Sequence, residues 1–123
     1  MIFVIDTVSE DHVIKLFIKN DQKVFIRKRI KAVFKQSELL LSSIEKIFIE
    51  FNRKNKRKIK LEDLTGIEVV NQGGSFTSLR IGVTVANAMA FYLNIPIKSN
   101  LDKKFLRKFK SLKAIYLSEP SVN

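Results

Sequence analysis

The chain contains no cysteine, which removes disulfides and thiolate metal ligands at once. It has a single histidine, His12, so no pair of imidazoles is available to hold a metal. Long apolar runs are missing as well, and none approaches the roughly 20 residues that a bilayer-spanning helix needs. The opening stretch, MIFVIDTVSE, has no basic n-region and no apolar run long enough for a secretory signal. The cytoplasm is therefore the expected compartment, with no membrane partner. Internal repeats and low-complexity segments are absent too. Acidic residues are scarce relative to basic ones, 12 against 23, which leaves a formal net charge of +11.

At 123 residues the chain is long enough for one domain with a real core and too short for two. An apolar share of 46% with ten phenylalanines favours a folded globule over a disordered chain. The positive charge gathers in two places, Arg53–Lys60 and Lys98–Lys113. Clusters of this kind attract phosphate backbones and acidic surfaces alike. Arg53, Lys54, Lys56, Arg57 and Lys58 are thus candidates for contact with RNA; the alternative is a solvated basic surface with no ligand.

Residues 2–6 (Ile-Phe-Val-Ile-Asp) read as a buried strand ending in a carboxylate. Residues 12–19 and 23–30 read as two further strands of an antiparallel meander, with a turn at Asn20-Asp21. A first helix follows, with Ser37 as its cap and Leu40, Ile44, Ile47, Phe48 and Phe51 on one side, Ile49 standing apart. A fourth strand is expected near Ile67–Val70 and a second helix from about Ser75 to Leu93, ended by Asn94-Ile-Pro96. Ile95–Lys98 then forms a short fifth strand. Ser99 or Asn100 caps a third helix with Leu101, Phe105, Phe109 and Leu112 on its apolar side, and Ala114–Leu117 reads as a last strand or extended tail.

The second helix is apolar on two sides. Leu79, Val83, Ala86, Ala90 and Leu93 form one stripe; Ile81, Val85, Ala88, Met89 and Tyr92 form another. Such a helix must be covered twice, by its own chain or by a partner. Gly82, Ala86 and Ala90 recur every four residues, a spacing that allows another helix to come close.

The strand and helix are joined by Asn71-Gln-Gly-Gly-Ser-Phe-Thr-Ser-Leu-Arg-Ile-Gly82. A strand, a glycine turn and a helix N-terminus together present free N–H groups to an anion. Asp6 and Thr7 with Gly73, Gly74, Ser75 and Thr77 can be read as a relic phosphate loop. Alternatively, Asp6 and the hydroxyls satisfy local backbone donors. Arg80, one turn into the helix, is free to meet an anion or to pair with Glu38 or Glu68.

The glycine segment resembles the N-G-P-G-S-F-T-G-L-R-I-G signature of the TsaB (YeaZ) family, with Gln72, Gly73 and Ser78 departing from it. Three weaker likenesses accompany it in order and spacing over residues 1–97: Phe3-Val-Ile-Asp-Thr7, Gln36-Ser-Glu-Leu-Leu-Leu41 and Ala90-Phe-Tyr-Leu-Asn-Ile-Pro96. Gln36 stands where that family has histidine. Ala114–Pro120 is similar to the family's closing segment, which implies a shortened form that lacks the second domain. The organisation expected is a matching core over residues 1–98 and a basic helix and tail over 99–123.

That resemblance implies an α/β, ribonuclease-H-like fold of the actin, sugar-kinase and heat-shock-chaperone superfamily, with a mixed five-stranded sheet in the order βββαβαβα. It implies a non-catalytic subunit that binds TsaD and supports threonylcarbamoyladenosine formation next to the anticodon of tRNA. ATP or ADP and the metal would sit on TsaD, and TsaE is a further partner. The chain would pair with TsaD, or with itself, through its first two helices. Ser37, Leu41, Ile49, Ile81, Val85, Ala88, Met89 and Tyr92 are the expected interface. A basic RNA-binding module working alone is the other reading.

Overall fold

The computed structural model describes residues 1–102 and 105. Five strands form one sheet: β1 (Ile2–Asp6), β2 (Val13–Lys19), β3 (Val24–Lys31), β4 (Gly66–Val69) and β5 (Ile97–Ser99). Two helices, α1 (Gln36–Asn55) and α2 (Phe76–Leu93), fill the connections β3–β4 and β4–β5, with a short 3₁₀ turn at Leu61–Asp63 before β4. The sheet order is β3-β2-β1-β4-β5. The meander β1–β2–β3 is antiparallel, its strands joined by a six-residue loop and then a four-residue turn that return the chain each time. β4 and β5 are parallel to β1, as connections through whole helices require.

Both helices lie on the same face of the sheet, α1 over β2 and β3, α2 over β4 with β1 and β5, and the two touch. A single core results. Phe3 and Ile5 of β1, Ile14, Leu16 and Ile18 of β2, and Ile67 and Val69 of β4 meet Leu40, Ile47 and Phe51 of α1 and Leu79, Val83 and Ala86 of α2. The Phe3 ring stacks on Phe48 at 5.7 Å, and Phe25 meets Phe51 edge-on at 6.0 Å. The helical stripe Leu40, Ile44, Ile47, Phe48 and Phe51 is buried as its spacing predicts, and Ile49 points away at 58% exposure.

Element ends depart from the sequence reading for local reasons. Ser37 does not cap α1. Lys35 takes a left-handed conformation (φ 60°) and starts the helix with no side-chain cap, so Ser37 lies inside the first turn. At the other end of α1, Asn52 holds the chain that leaves it: its amide donates to the Ile59 carbonyl at 2.9 Å and accepts from the Ile59 N–H at 2.8 Å. α2 is closed by Asn94 in the left-handed region, with the Ile95 N–H bonded to the Ala90 carbonyl. That bond uses the Ile95 donor, and Pro96 has none, so β5 begins at Ile97 rather than Ile95. At the end of β5 the Ser99 hydroxyl accepts from the Leu101 N–H, while Asp102 accepts from the Ser99 N–H. The expected third helix and the Ala114–Leu117 segment lie outside the described residues.

One ion pair ties α1 to the edge of the sheet. The Lys28 ammonium stands 2.6 Å from Glu50 Oε1. Its hydrogen bond holds the Glu50 carboxyl below the ordinary value of 4.5 against the opposing effect of burial. A depressed carboxylate stabilises the fold above its ordinary unfolded value, and that contribution disappears as pH falls through the lower folded value. Melting temperatures of the wild type and of Glu50→Gln should therefore differ near neutrality and converge as pH falls through that lowered folded value. The pair is partly exposed, so the difference will be small and will shrink with added salt.

Candidate functional site

The turn between β4 and α2 is built by two residues with positive φ, Gly73 at 93° and Gly74 at 67°. Only glycine enters that region without strain. A Cβ on Gly74 would also stand 2.6 Å from Val8 Cβ, so the turn is pressed against the loop after β1. Ser75 caps α2, its hydroxyl accepting from the Ser78 N–H at 3.1 Å. A relay then runs from Ser75 Oγ to Ser78 Oγ at 2.8 Å and on to Gln36 Oε1 at 3.0 Å, linking the starts of the two helices.

Asp6 and Thr7 face the same turn and are both engaged there. The Asp6 carboxylate accepts from the Val8 and Ser9 N–H groups at 2.9 Å each, and from the Ser9 hydroxyl. The Thr7 hydroxyl donates to the Ser78 carbonyl at 2.6 Å and packs against Gly82. The space left among Thr7, Val8, Gly74, Ser75 and Ser78 is about 30 Å³. This is room for about one water and far less than a polyphosphate needs. These are the local donor–acceptor bonds that the sequence offered as the alternative to a phosphate loop. Thr77, the remaining member of that set, faces elsewhere, into a groove between the helices. His12 is exposed at the start of β2 with φ 58°. Among the described residues no three histidine, aspartate or glutamate side chains come together as a metal cluster.

The outer surface of α1 and α2 is different in character. Two grooves run along the seam between the helices. The first, about 300 Å³, is walled by Ser37 of α1 and by Phe76, Arg80, Ile81 and Val85 of α2. The second, about 490 Å³, is walled by Leu41, Phe48 and Ile49 of α1, Met89 of α2, and Ile59 and Leu61 of the connecting loop. Ser37, Ile81 and Val85 thus share one groove, and Leu41, Ile49 and Met89 share the other. Ala88 is exposed on α2, and so is Tyr92, at 81%.

The second apolar stripe of α2 is divided. Ile81, Val85 and Met89 are half-buried against the core, while Ala88 and Tyr92 stand clear. The small residues Gly82, Ala86 and Ala90 are buried in the first stripe, and Gly82 is met by Thr7 of the sheet rather than by a helix. Arg80 lies over the Phe76 ring at 5.3 Å. It does not pair with Glu68, which is held by Lys19 at 3.1 Å and Lys98 at 2.7 Å.

Sequence reasoning missed Phe76 and Arg80 in the first groove and Ile59 and Leu61 in the second. Ile59 and Leu61 did carry a signal, as two apolar residues alternating with lysines in an otherwise basic loop. That loop places Arg53, Lys54, Lys56, Arg57 and Lys58 at the exposed far end of α1. Among the described residues no helix is long and apolar enough to cross a membrane.

A family model described as tRNA N6-adenosine threonylcarbamoyltransferase matches residues 31–99, more than half of the chain. Two solved structures from Pseudomonas aeruginosa share the fold. One, described as an uncharacterized protein with similarity to the peptidase YeaZ, is 17% identical with a TM-score of 0.68. The match covers 80% of this chain and 41% of that one. The other, YeaZ, is 16% identical with a TM-score of 0.64, over 80% of this chain and 42% of that one. The present chain therefore spans about two-fifths of the length of these chains. A search of curated proteins finds no match. The architecture is the ribonuclease-H-like, mixed five-stranded arrangement that the resemblance implied.

Proposed function

Because the chain belongs to the tRNA N6-adenosine threonylcarbamoyltransferase family, we propose that it serves there as a non-catalytic subunit. In this reading it docks onto TsaD in the cytoplasm and supports threonylcarbamoyladenosine formation next to the anticodon of tRNA. ATP or ADP and the metal belong to TsaD, and TsaE is a further partner of the assembly. When alone, the chain pairs with itself through the same face.

The observation that carries the reading is the outer seam of α1 and α2. Two adjoining grooves expose Leu41 at 60% and Ile49 at 58%, next to half-buried Ile81, Val85 and Met89. An apolar seam of this size along two helices is the surface a partner helix pair covers. The filled turn beside Asp6 and the lone, exposed His12 support a binding role over a catalytic one. The exposed cations Arg53–Lys58 would lie at the rim of the complex, where they can attract tRNA.

The test is direct. Mixed with TsaD of its own organism, the protein should elute from a sizing column as a single heterodimer peak. Separate elution of the two at micromolar concentration would rule out a stable pair.

A further inference from the structure

α2 carries one charged side chain in its 18 residues, and that side chain stands on the outer seam. Arg80 is exposed, one turn into the helix. It walls the first groove together with the hydroxyls of Ser37, Thr77 and Thr84 and the half-buried Ile81 and Val85. Its guanidinium lies over the Phe76 ring at 5.3 Å, a contact that keeps it at the groove wall.

The ion-paired acids of the described residues face other cations. Glu50 meets Lys28, Glu10 meets Lys15 and Arg29, and Glu68 meets Lys19 and Lys98. Glu38, in the first turn of α1, makes no ion pair with Arg80. Among the described residues Arg80 thus has no acidic partner, and no carboxylate lines its groove. Both helices begin at this end of the seam, where Ser78 of α2 is bonded to Gln36 of α1. The positive ends of two helix dipoles add to the field of the guanidinium. Covering the seam with apolar side chains alone would leave this cation desolvated and unpaired, which is costly.

We infer that the first groove receives a carboxylate from a helix of the docking partner, an aspartate or glutamate side chain that Arg80 grips with two N–H groups beside the Ser37, Thr77 and Thr84 hydroxyls. This rests on the reading of the seam as the face that meets TsaD, and it adds the chemistry by which the partner is selected. A helix pair of the same apolar shape with no acid at this place is rejected. The formal charge of +11 favours a separate acidic chain over a second copy of this one. A phosphate of RNA also pairs with arginine, but this groove has aliphatic walls at Ile81 and Val85 and no second cation lining it.

The experiment titrates the full chain against TsaD of its own organism by calorimetry, using the wild type, Arg80→Lys, Arg80→Gln, Arg80→Ala and Arg80→Glu. The same proteins are measured for self-association and for tRNA binding. Arg80→Gln and Arg80→Ala should weaken binding to TsaD by roughly 30-fold or more. Arg80→Lys keeps the charge without the planar fork and should fall in between, with Arg80→Glu the weakest. Reversing one carboxylate on the docking helices of TsaD to a lysine should restore binding to Arg80→Glu and to none of the others. The side chain is exposed and forms no ion pair, so every variant should melt within a few degrees of the wild type. Wild-type affinity in Arg80→Glu would overturn the inference and leave the docking face standing. Failure of the wild type itself to bind TsaD would remove the docking reading, and the carboxylate with it. Arg80→Glu that loses only self-association assigns the groove to a second copy, and one that loses only tRNA binding assigns it to a phosphate; either result overturns the inference.

Discussion

If the helical seam is the docking face proposed for TsaD, Val85→Asp, and separately Met89→Asp, should abolish co-elution with TsaD while circular dichroism and the melting transition stay close to those of the wild type. Both side chains are half-buried on groove walls, packed against the core without belonging to it. In the free chain a carboxylate at either position can turn to water, so the folding cost stays near 1 kcal/mol. In the proposed docked state the same carboxylate would be buried without a partner. Losses of about 2–4 kcal/mol are typical for such a change at the centre of an interface, or roughly 30- to 1000-fold in affinity. Gel filtration and calorimetric titration against TsaD read the effect. If TsaD binds both variants as it binds the wild type, the helical seam is not the docking face.

Phe51→Ala has a large effect of the opposite kind, on stability with no direct effect on docking. Phe51 is 1% exposed at the end of α1 and meets Phe25 of β3 edge-on. Its removal leaves a cavity under the last turn of the helix that neighbours fill only in part. The expected cost is about 3–5 kcal/mol, out of a total of roughly 5–15 kcal/mol for a domain of this kind. The melting temperature should drop by about 10–20 °C. A shift of only a few degrees would mean that α1 is anchored by the first half of its stripe, Leu40 to Ile47, with the far end contributing little. Together the two experiments separate loss of partner from loss of fold.

Much of the architecture could be read from the chain because it rests on strong periodic signals. The alternation along residues 13–19 and the helical spacing of Leu40, Ile44, Ile47, Phe48 and Phe51 each allow one structure. The two stripes of α2 were visible on the same grounds, although α1 covers part of the second. Capping was harder. Ser37 is a good cap by residue type, yet Lys35 adopts the left-handed conformation and begins the helix sooner. The bounds of β5 turned on which N–H groups the helix end consumes, a matter of geometry that composition does not reveal. The candidate site divided in the same way. Local hydroxyls and glycines announced the turn, and its tight closure over Val8 became visible only once β1 and α2 were brought together. Ile59 and Leu61 reach the seam by a fold-back of the loop, which no periodicity encodes.

One side chain, Asn52, pins that fold-back at Ile59. Asn52 grips both backbone groups of Ile59, and the segment it pins carries lysines and arginines on one side and two apolar residues on the other. The wet rim and the dry wall of the seam are therefore a single mechanical part. Whatever pulls on the cations, a phosphate backbone included, also pulls on the wall of the groove, so charge at the rim and fit at the seam cannot be tuned independently.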